Sequence, residues 1–279
     1  MTDVLLANEP AIRLVAFASV FLVMALMEIL APRRTQTISR LARWPSNLAI
    51  VAVDTLLVRV LFPVGAVALA MLVEAKGVGL FNAYPVPAGI AIPLAVIILD
   101  FAIYLQHVLF HAVPVLWRLH RMHHADLEFD VTTGARFHPI EILLSMALKL
   151  AIVAALGAPA AAVLIFEVLL NATAMFNHSN VRIPAALDSA LRWLVVTPDM
   201  HRVHHSVVVG ETNSNFGFNL PWWDRMLGTY REQPAAGHEA MTIGIEQFRD
   251  AGEQRLDRML TQPFRGHKEA YPLGGLRSD

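Results

Sequence analysis

The sequence predicts an all-α fold: an integral membrane helical bundle of about four transmembrane or re-entrant helices with a histidine-rich metal-binding cap. Three observations predict it. Of the 279 residues, 56% are hydrophobic and 16% are charged, whereas soluble domains are about one quarter charged. Long apolar runs alternate with short polar segments. Finally, the pentads HRMHH at 120–124 and HRVHH at 201–205 repeat one histidine spacing.

The first apolar run, Ile12 to Ala31, is long enough to cross about 30 Å of hydrocarbon. Asp3 and Glu9 precede it instead of basic residues, and no small-residue cleavage site follows. It is therefore predicted to be a retained anchor, not a signal peptide.

Three more apolar runs follow, at Asn47–Val73, Ala88–Phe110 and Ile142–Phe176. The last is interrupted at Gly157-Ala158-Pro159, and each half has about 15 to 18 residues. A tilted or partly inserted helical hairpin is predicted there.

Basic residues predict the orientation of the bundle. The loop after the first run contains Arg33, Arg34, Arg40 and Arg43, whereas the next short loop offers only Lys76. The positive-inside rule then places residues 32–46 in the cytoplasm and residues 76–88 outside. The remaining runs return the chain so that the histidine site faces the cytoplasm.

Composition limits the possible partners and metal sites. A net charge of −1 gives no reason to expect a nucleic-acid partner. The absence of cysteine excludes disulfides, thiolate-ligated haem, cysteine-bound iron–sulfur clusters and zinc–thiolate sites. Any metal ion must therefore be bound by nitrogen and oxygen atoms.

The histidine spacing predicts such a site. On a helix, positions separated by three and four residues share one face, so each pentad directs three imidazoles towards one neighbourhood. A further i, i+4 pair ends the third apolar run, and one more histidine lies in the stretch FNHSN. The nine candidate ligands are His107, His111, His120, His123, His124, His178, His201, His204 and His205. Nine imidazoles are too many for one metal ion but suit two ions in one pocket.

Other polar residues have more than one interpretation. His138 precedes a proline and is a ligand, a group that supports a ligand, or a helix-start residue. Asp100 shares a helical face with His107 and His111, where it could accept a proton from a ligating imidazole. The alternative for Asp100 is a polar contact with a neighbouring helix. His238 and His267 are assigned no role.

Ligand type alone leaves the metal open, because imidazole suits zinc, copper, iron and nickel. The zinc-protease pattern HExxH fails, since Thr242 occupies its last position after His238-Glu239. Two redox metals beside lipid favour oxygen activation against an unreactive C–H bond. The alternatives are a non-catalytic metal- or haem-binding membrane protein and a zinc-dependent lipid hydrolase.

The region from Asp100 to Tyr230 resembles the membrane-bound fatty acid hydroxylase/sterol desaturase superfamily in motif content, order and spacing. The matching motifs are DFAIYLQHVLFH, WRLHRMHH, RFHPIE, NHSN, TPDMHRVHHS, NSNFG and WDRMLGTY. The resemblance implies a histidine-rich di-iron oxygenase that hydroxylates or desaturates a sterol, fatty acyl chain or related lipid. It divides the chain into membrane anchor helices (1–99), a catalytic region (100–232) and a polar C-terminal tail (233–279).

The resemblance also implies roles for individual residues. His107 and His111 fill the family's HxxxH motif, the pentads fill its two HxxHH motifs, and His178 matches a further ligand. Some family members have a partner ligand four residues before that position, where this chain has Ala174. Water, His138 or Asn215 would take that place. The implied cofactors are two iron ions, with zinc possible in purified protein, and O2 is the implied co-substrate.

Such chemistry needs electrons from outside the chain. The nearest approach to the dinucleotide motif GxGxxG, at 77–82, lacks its last glycine, and there is no cysteine for an iron–sulfur relay. A separate ferredoxin or cytochrome b5-type protein with its reductase is the expected donor. Three polar residues, Asn213, Asn215 and Asp224, are predicted to organise a loop near the site, and Trp222 and Trp223 to lie at the membrane interface.

Overall fold

The computed structural model describes residues 2–266 and residue 273, and within them the fold is all-helical. The α-helices are α1 (Thr2–Ala7), α2 (Glu9–Leu30), α3 (Arg40–Leu61), α4 (Ala66–Ala75), α5 (Leu80–Ala83), α6 (Ala88–Ala112), α7 (Pro114–His124), α8 (Pro139–Leu156), α9 (Ala160–Asn177), α10 (Ala185–Leu191), α11 (Pro198–His204), α12 (Val209–Thr212), α13 (Trp222–Met226), α14 (Gly237–Ala240) and α15 (Leu256–Met259). Short 3-10 helices occupy Thr133–Ala135, Ala251–Gln254 and Gln262–Phe264. Extended pairing in this part of the chain amounts to two isolated bridges, Pro32 to Val181 and Ser206 to Ile243.

Five segments of the described chain are long and apolar enough to cross a membrane, which confirms a multi-pass membrane protein. They are Glu9–Leu30, Arg40–Ala83, Ala88–Ala112, Pro139–Leu156 and Ala160–Asn177. The second contains three helices, since α3 ends at Leu61 and α4 begins at Ala66. The count is five instead of about four because the interrupted fourth run forms two helices of 18 residues each. At 1.5 Å per residue, each is about 27 Å long, close to the hydrocarbon thickness.

The turn between α8 and α9 lies against the loop that precedes α5. Gly157 ends α8 with a left-handed φ of 61°, and Pro159 precedes α9. Gly79 has a φ of 98°, and a Cβ atom at this position would lie 2.2 Å from the backbone nitrogen of Gly157. This close approach of two backbones joins the two loops at one end of the bundle.

Buried ion pairs attach α3 to the histidine cap at the other end of the bundle. The guanidinium of Arg43 donates to both carboxylate oxygens of Asp126, at 2.8 and 2.7 Å, and to Asp130 at 2.7 Å. All three side chains are fully buried. Burial raises the pKa of Asp126, but the positive charges of Arg43 and Arg136 outweigh this effect and lower it to about 2. Removing one partner of such a pair costs about 3–5 kcal/mol, so this contact fixes α3 to the cap.

The basic loop after α2 also lies at the cap end of the bundle, as the sequence predicts. The backbone nitrogen of Arg33 donates to Asn180 O at 2.8 Å, and that of Arg34 donates to Asn180 Oδ1 at 3.0 Å. Glu28, at the end of α2, accepts from Val131 N at 2.7 Å. Loop and cap therefore share one side of the membrane.

The described part of the predicted polar tail packs on the cap. Gln254 donates to Ala125 O at 3.0 Å and accepts from Arg136 at 2.6 Å. Ile245 and Met259 are fully buried. Residues up to 266 therefore pack on the cap and also reach α3, since Met259 shares a buried cluster with Met122 of α7 and Ile50 of α3. His267 lies outside the described residues.

Candidate metal centre

Four chain segments supply the nine candidate histidines. The end of α6 carries His107 and His111, and α7 carries the first pentad. In the second pentad, His201 and His204 lie in α11 and His205 follows it directly, while His178 caps the C-terminal end of α9. Both pentad helices begin with proline, whose fixed φ suits a first helical position. Thr197 also caps α11 by accepting from Met200 N at 3.3 Å.

The nine histidines form two groups, and every member is buried. The first group contains His107, His111, His120, His124 and His204, and the second contains His123, His178, His201 and His205. Within each group, one ligand atom per residue lies within 4.8 Å of all the others. The structure therefore brings together all nine residues and divides them five to four.

Each pentad contributes to both groups. In the first pentad the i, i+4 pair, His120 and His124, belongs to the first group, while His123 belongs to the second. The second pentad shows the reverse arrangement, with its i, i+4 pair in the second group and His204 in the first. The groups also touch directly, since the rings of His124 and His205 stack with centroids 4.5 Å apart. The two groups are consequently neighbouring parts of one centre.

Backbone carbonyl groups determine the tautomers of four of these rings. His107 Nδ1 lies 2.8 Å from Phe216 O, His123 Nδ1 3.2 Å from Arg136 O, His178 Nδ1 2.8 Å from Ala174 O, and His204 Nδ1 2.7 Å from Ser214 O. A carbonyl oxygen only accepts hydrogen bonds, so each Nδ1 must carry the proton. The Nε2 atom of each neutral ring is then left with a free lone pair.

Burial keeps the rings neutral. Loss of solvation lowers the pKa of His120 and of His178 to about 3. The same cause, with repulsion from neighbouring imidazoles, lowers the pKa of His123 and of His205 well below the usual 6.5. Neutral imidazole is the form that binds a metal ion.

These lone pairs fit bound cations. His123 Nε2 and His178 Nε2 lie 3.1 Å apart, and both rings are protonated at Nδ1, so neither Nε2 has a proton to share. His204 Nε2 is buried with no hydrogen-bond partner among the described residues. A metal ion bound between such nitrogens would replace lone-pair repulsion with coordination. The donor set therefore fits two metal ions bound through imidazole nitrogen.

Two side chains orient further rings of the first group. Glu141 Oε1 accepts from His120 Nδ1 at 2.7 Å, and Asn213 Oδ1 accepts from His111 Nδ1 at 3.1 Å. A carboxylate in this position fixes the ring orientation and increases the basicity of the ligand. Sequence reasoning did not identify Glu141, although a carboxylate in the first turn of an apolar helix is the kind of signal that could have found it.

Asp100 does not contact a histidine. Its carboxylate accepts from Trp223 Nε1 at 2.7 Å and from Leu220 N at 3.3 Å. The polar contact with a neighbouring segment, given above as the alternative, is therefore the arrangement observed. The contact with an imidazole that was expected for Asp100 is made by Glu141, because α8 rather than the middle of α6 lies beside His120.

His138 and Asn215 also lie outside both histidine groups. His138 Nδ1 accepts from Ile140 N at 3.2 Å, and its Nε2 donates to Leu260 O at 3.3 Å, so it acts as the helix-start residue of α8. Asn215, with a φ of 52°, donates to Met200 O and to Arg231 O. The Asn215 side-chain amide therefore holds the loop that follows α12 against α11.

Asp224 organises the same loop, as the sequence predicts. It accepts from Phe216 N at 2.8 Å and from Gly217 N at 2.9 Å. Burial raises the pKa of Asp224 to about 6. Because Phe216 O orients His107, this loop links Asp224 to the first histidine group. His238 is buried 3.6 Å from Asp199, apart from both groups.

Comparisons with known proteins agree with this geometry. The family model described as fatty acid hydroxylase matches residues 92–229, about half of the chain. Ornithine lipid hydroxylase OlsE of Rhizobium tropici is 34% identical over 66% of this chain and 54% of its own length. Alkylglycerol monooxygenase of Xenopus tropicalis is 28% identical over 53% of this chain and 32% of its own length.

Cholesterol 25-hydroxylase of Rattus norvegicus is 27% identical over 58% of this chain and 53% of its own length. The matched parts thus span about half of these relatives or less. No solved structure matches the chain. The matched region contains every histidine of the two groups, in a membrane protein built of apolar helices. The chain therefore belongs to the fatty acid hydroxylase family.

Proposed function

We propose that this protein is a membrane-bound di-iron oxygenase that uses O2 to hydroxylate a C–H bond of a lipid. The observation that carries the proposal is the pair of adjoining buried histidine groups, five and four residues in size, at one end of a membrane-length helical bundle. Relatives named as an ornithine lipid hydroxylase, an alkylglycerol monooxygenase and a cholesterol 25-hydroxylase support hydroxylation over desaturation.

The nine histidines would hold the two iron ions. Bound iron supplies the activation of O2 that an unreactive C–H bond requires. The protein presents neutral Nε2 lone pairs, because carbonyl oxygens, Asn213 and Glu141 accept the opposite ring protons. Four histidines in the second group would leave more room for O2 or water than five in the first, and Ala174 adds no donor beside His178.

The surroundings of the centre exclude water and admit lipid. The C-terminal segment covers the cap, and all nine histidines are buried. Towards the bundle, Phe137 stacks on His123 with centroids 4.4 Å apart and also packs against the main apolar cluster. An apolar chain can therefore approach the centre from the bilayer without crossing water.

Electrons must come from a separate protein. The chain contains no cysteine for an iron–sulfur relay and no complete dinucleotide motif. We expect a ferredoxin or a cytochrome b5-type protein, with its reductase, to reduce the centre from the cytoplasmic side. Purified protein given lipid, O2 and NADPH should be inactive until such a carrier system is added.

Comparative lipid profiling tests the function. Membranes from cells that produce the wild-type protein should contain a lipid one oxygen atom heavier than its precursor. This product should be absent when His124→Ala replaces the wild type or when O2 is withheld. Identical profiles for wild type and His124→Ala at equal expression in several lipid-rich hosts, or product formation without O2, would overturn the proposal.

A further inference from the structure

Residues 217–223 leave the cap and re-enter the bundle between α6 and α9. On one side, Leu220 N and Trp223 Nε1 donate to Asp100 of α6. On the other side, Asn177 of α9 donates to Phe218 O at 2.9 Å. Asp100 precedes His111 by 11 residues, which is about 16 Å along a helix. This segment therefore reaches the depth of the membrane-spanning helices.

The two faces of the segment differ. On the outer face, Trp222 is 40% exposed and the Trp223 ring packs against Phe101 with centroids 4.7 Å apart. On the inner face, Phe218 is 8% exposed. The segment thus forms a thin wall between the lipid-facing surface and the interior of the bundle.

The ring of Phe218 contacts both histidine groups. Its centroid lies 5.3 Å from that of His107 in the first group. It lies 5.9 Å from the centroid of His201 and 6.3 Å from that of His178 in the second group. A C–H bond that is oxidised at a two-metal centre must approach a place from which both ions are accessible. Phe218 occupies such a place.

Phe218 is also part of the main apolar cluster of the bundle. The cluster includes small side chains of α6 and α9, namely Ala91, Ala95, Ala162 and Ala174, of which Ala174 lies about one turn before His178. Among the described aromatic residues whose rings contact the histidines, Phe218 belongs to this cluster and Phe137 packs against it. An apolar chain lying between α6 and α9 would therefore end against the Phe218 ring.

Tight backbone packing holds this ring in place. A Cβ atom on Gly217 would lie 2.8 Å from Asp224 Oδ2 and 2.9 Å from Leu220 O, so the turn before Phe218 has no room for a side chain. The carbonyl of Asn219 accepts from Val196 N at 3.0 Å. The position of the Phe218 ring is thus determined by the packing of the residue before it, Gly217, and by the hydrogen bond of the residue after it, Asn219.

We propose that Phe218 determines which carbon of the substrate is oxidised, by forming the end wall for an acyl or alkyl chain that enters from the bilayer between α6 and α9. This inference rests on the proposed function. In this role Phe218 positions the substrate, and it leaves the binding of the metals to the histidines.

The test compares Phe218→Ala with Phe166→Ala. Phe166 is a matched control, because it is fully buried in the same apolar cluster and has no ring contact with a histidine among the described residues. Metal content and the position of the new hydroxyl group are measured for wild type and both variants. In Phe218→Ala, we expect both metals to be retained. Product at the wild-type carbon should fall about tenfold or more, since a displacement of the reacting carbon by about 1 Å can lower the reaction rate about 10²-fold. Product at other carbons should appear, whereas Phe166→Ala should keep the wild-type position.

The milder variant Phe218→Leu should shift the product in the same direction to a smaller extent. An unchanged position of oxidation in Phe218→Ala, or the same shift in Phe166→Ala, would overturn the inference. So would loss of metal in both Phe218 variants, which would make the ring a structural support of the centre. If the wild type itself yields no oxidised lipid, the proposed function fails, and this result is distinct from a failure of the role of Phe218.

Discussion

Each pentad spans the two histidine groups, and this determines what a single substitution does. In a helix, residues i and i+4 lie almost above one another, whereas residue i+3 is turned to one side. His120 and His124 therefore share the first group, while His123 reaches the second. Although the two groups share their supporting helices, substitution of one histidine removes a candidate ligand from one group only.

We predict that His124→Ala and His205→Ala each lower the metal content from two ions per chain to about one. Each variant removes a buried nitrogen from a different group, the first and the second respectively. Metal analysis of purified, membrane-extracted protein checks this, and activity should be lost in both. The control is His267→Ala, which should retain both metals and activity. Loss of metal in the control, or normal activity in either ligand variant, would contradict the ligand assignment.

A second prediction concerns Glu141. Glu141→Ala should lower activity or metal affinity by about 10- to 100-fold, because His120 loses the carboxylate that orients its ring. Glu141→Gln should be impaired less, since its amide oxygen still accepts from Nδ1. Metal titration and turnover provide the measurement, and Glu74→Ala, at an exposed position, is the control. If Glu141→Ala and Glu74→Ala behaved alike, Glu141 would have no role in positioning His120.

The spacing of the histidines was enough to predict eight of the nine residues that the structure brings together, and His178 was added from the stretch FNHSN. It was not enough to predict their division into two groups, which depends on how α6, α7 and α11 are placed against each other. Asp100 and Glu141 also show that sequence spacing does not predict tertiary contacts. Both are carboxylates in apolar helices, and only tertiary packing decides that Glu141 faces His120 while Asp100 faces Trp223.

At the level of helices and loops, apolar runs and turn residues predicted the main elements. The α8–α9 hairpin follows from its Gly-Ala-Pro interruption. The break between α3 and α4 was not predicted, because Asn47–Val73 was interpreted as one apolar run, although a Pro-Val-Gly stretch lies at the break. The segment 217–223 was not predicted to re-enter the bundle. Its glycine, asparagine and proline are typical of a loop, and its depth results from hydrogen bonds to Asp100 and Asn177.

The contact between two loops at the far end of the bundle gives a third prediction. Gly79→Ala should destabilise the protein by more than about 1 kcal/mol, because φ is 98° and the new Cβ atom would collide with Gly157. Gly89→Ala is the matched control, since it has open space within 4 Å and a helical position. Thermal unfolding in detergent measures both variants. Equal melting temperatures would show that the two loops do not meet in this way.

For the whole molecule, the structure joins the basic loop to the histidine cap. Arg33 and Arg43 are paired with carboxylates of the cap, so loop and cap must stay together on whichever side they lie. The positive-inside rule predicts the cytoplasm for both.

Cysteine labelling tests this orientation, because the chain has no cysteine of its own. With Thr35→Cys and Lys76→Cys, both at exposed positions, an impermeant thiol reagent is applied to intact cells. Lys76→Cys should be labelled, and Thr35→Cys should be labelled only after the membrane is opened. The reverse pattern would place the histidine centre, and its electron donor, outside the cytoplasm.

The central claim is that this histidine centre transfers an oxygen atom from O2 to a lipid. Isotope labelling tests it most directly, in membranes that contain the wild-type protein and a competent electron carrier. Under 18O2 in ordinary water, the hydroxylated lipid should carry one 18O atom, and His124→Ala membranes should yield no such product. If the new oxygen atom came instead from 18O-labelled water, the centre would act by hydrolysis or hydration, and the assignment as an oxygenase would be wrong.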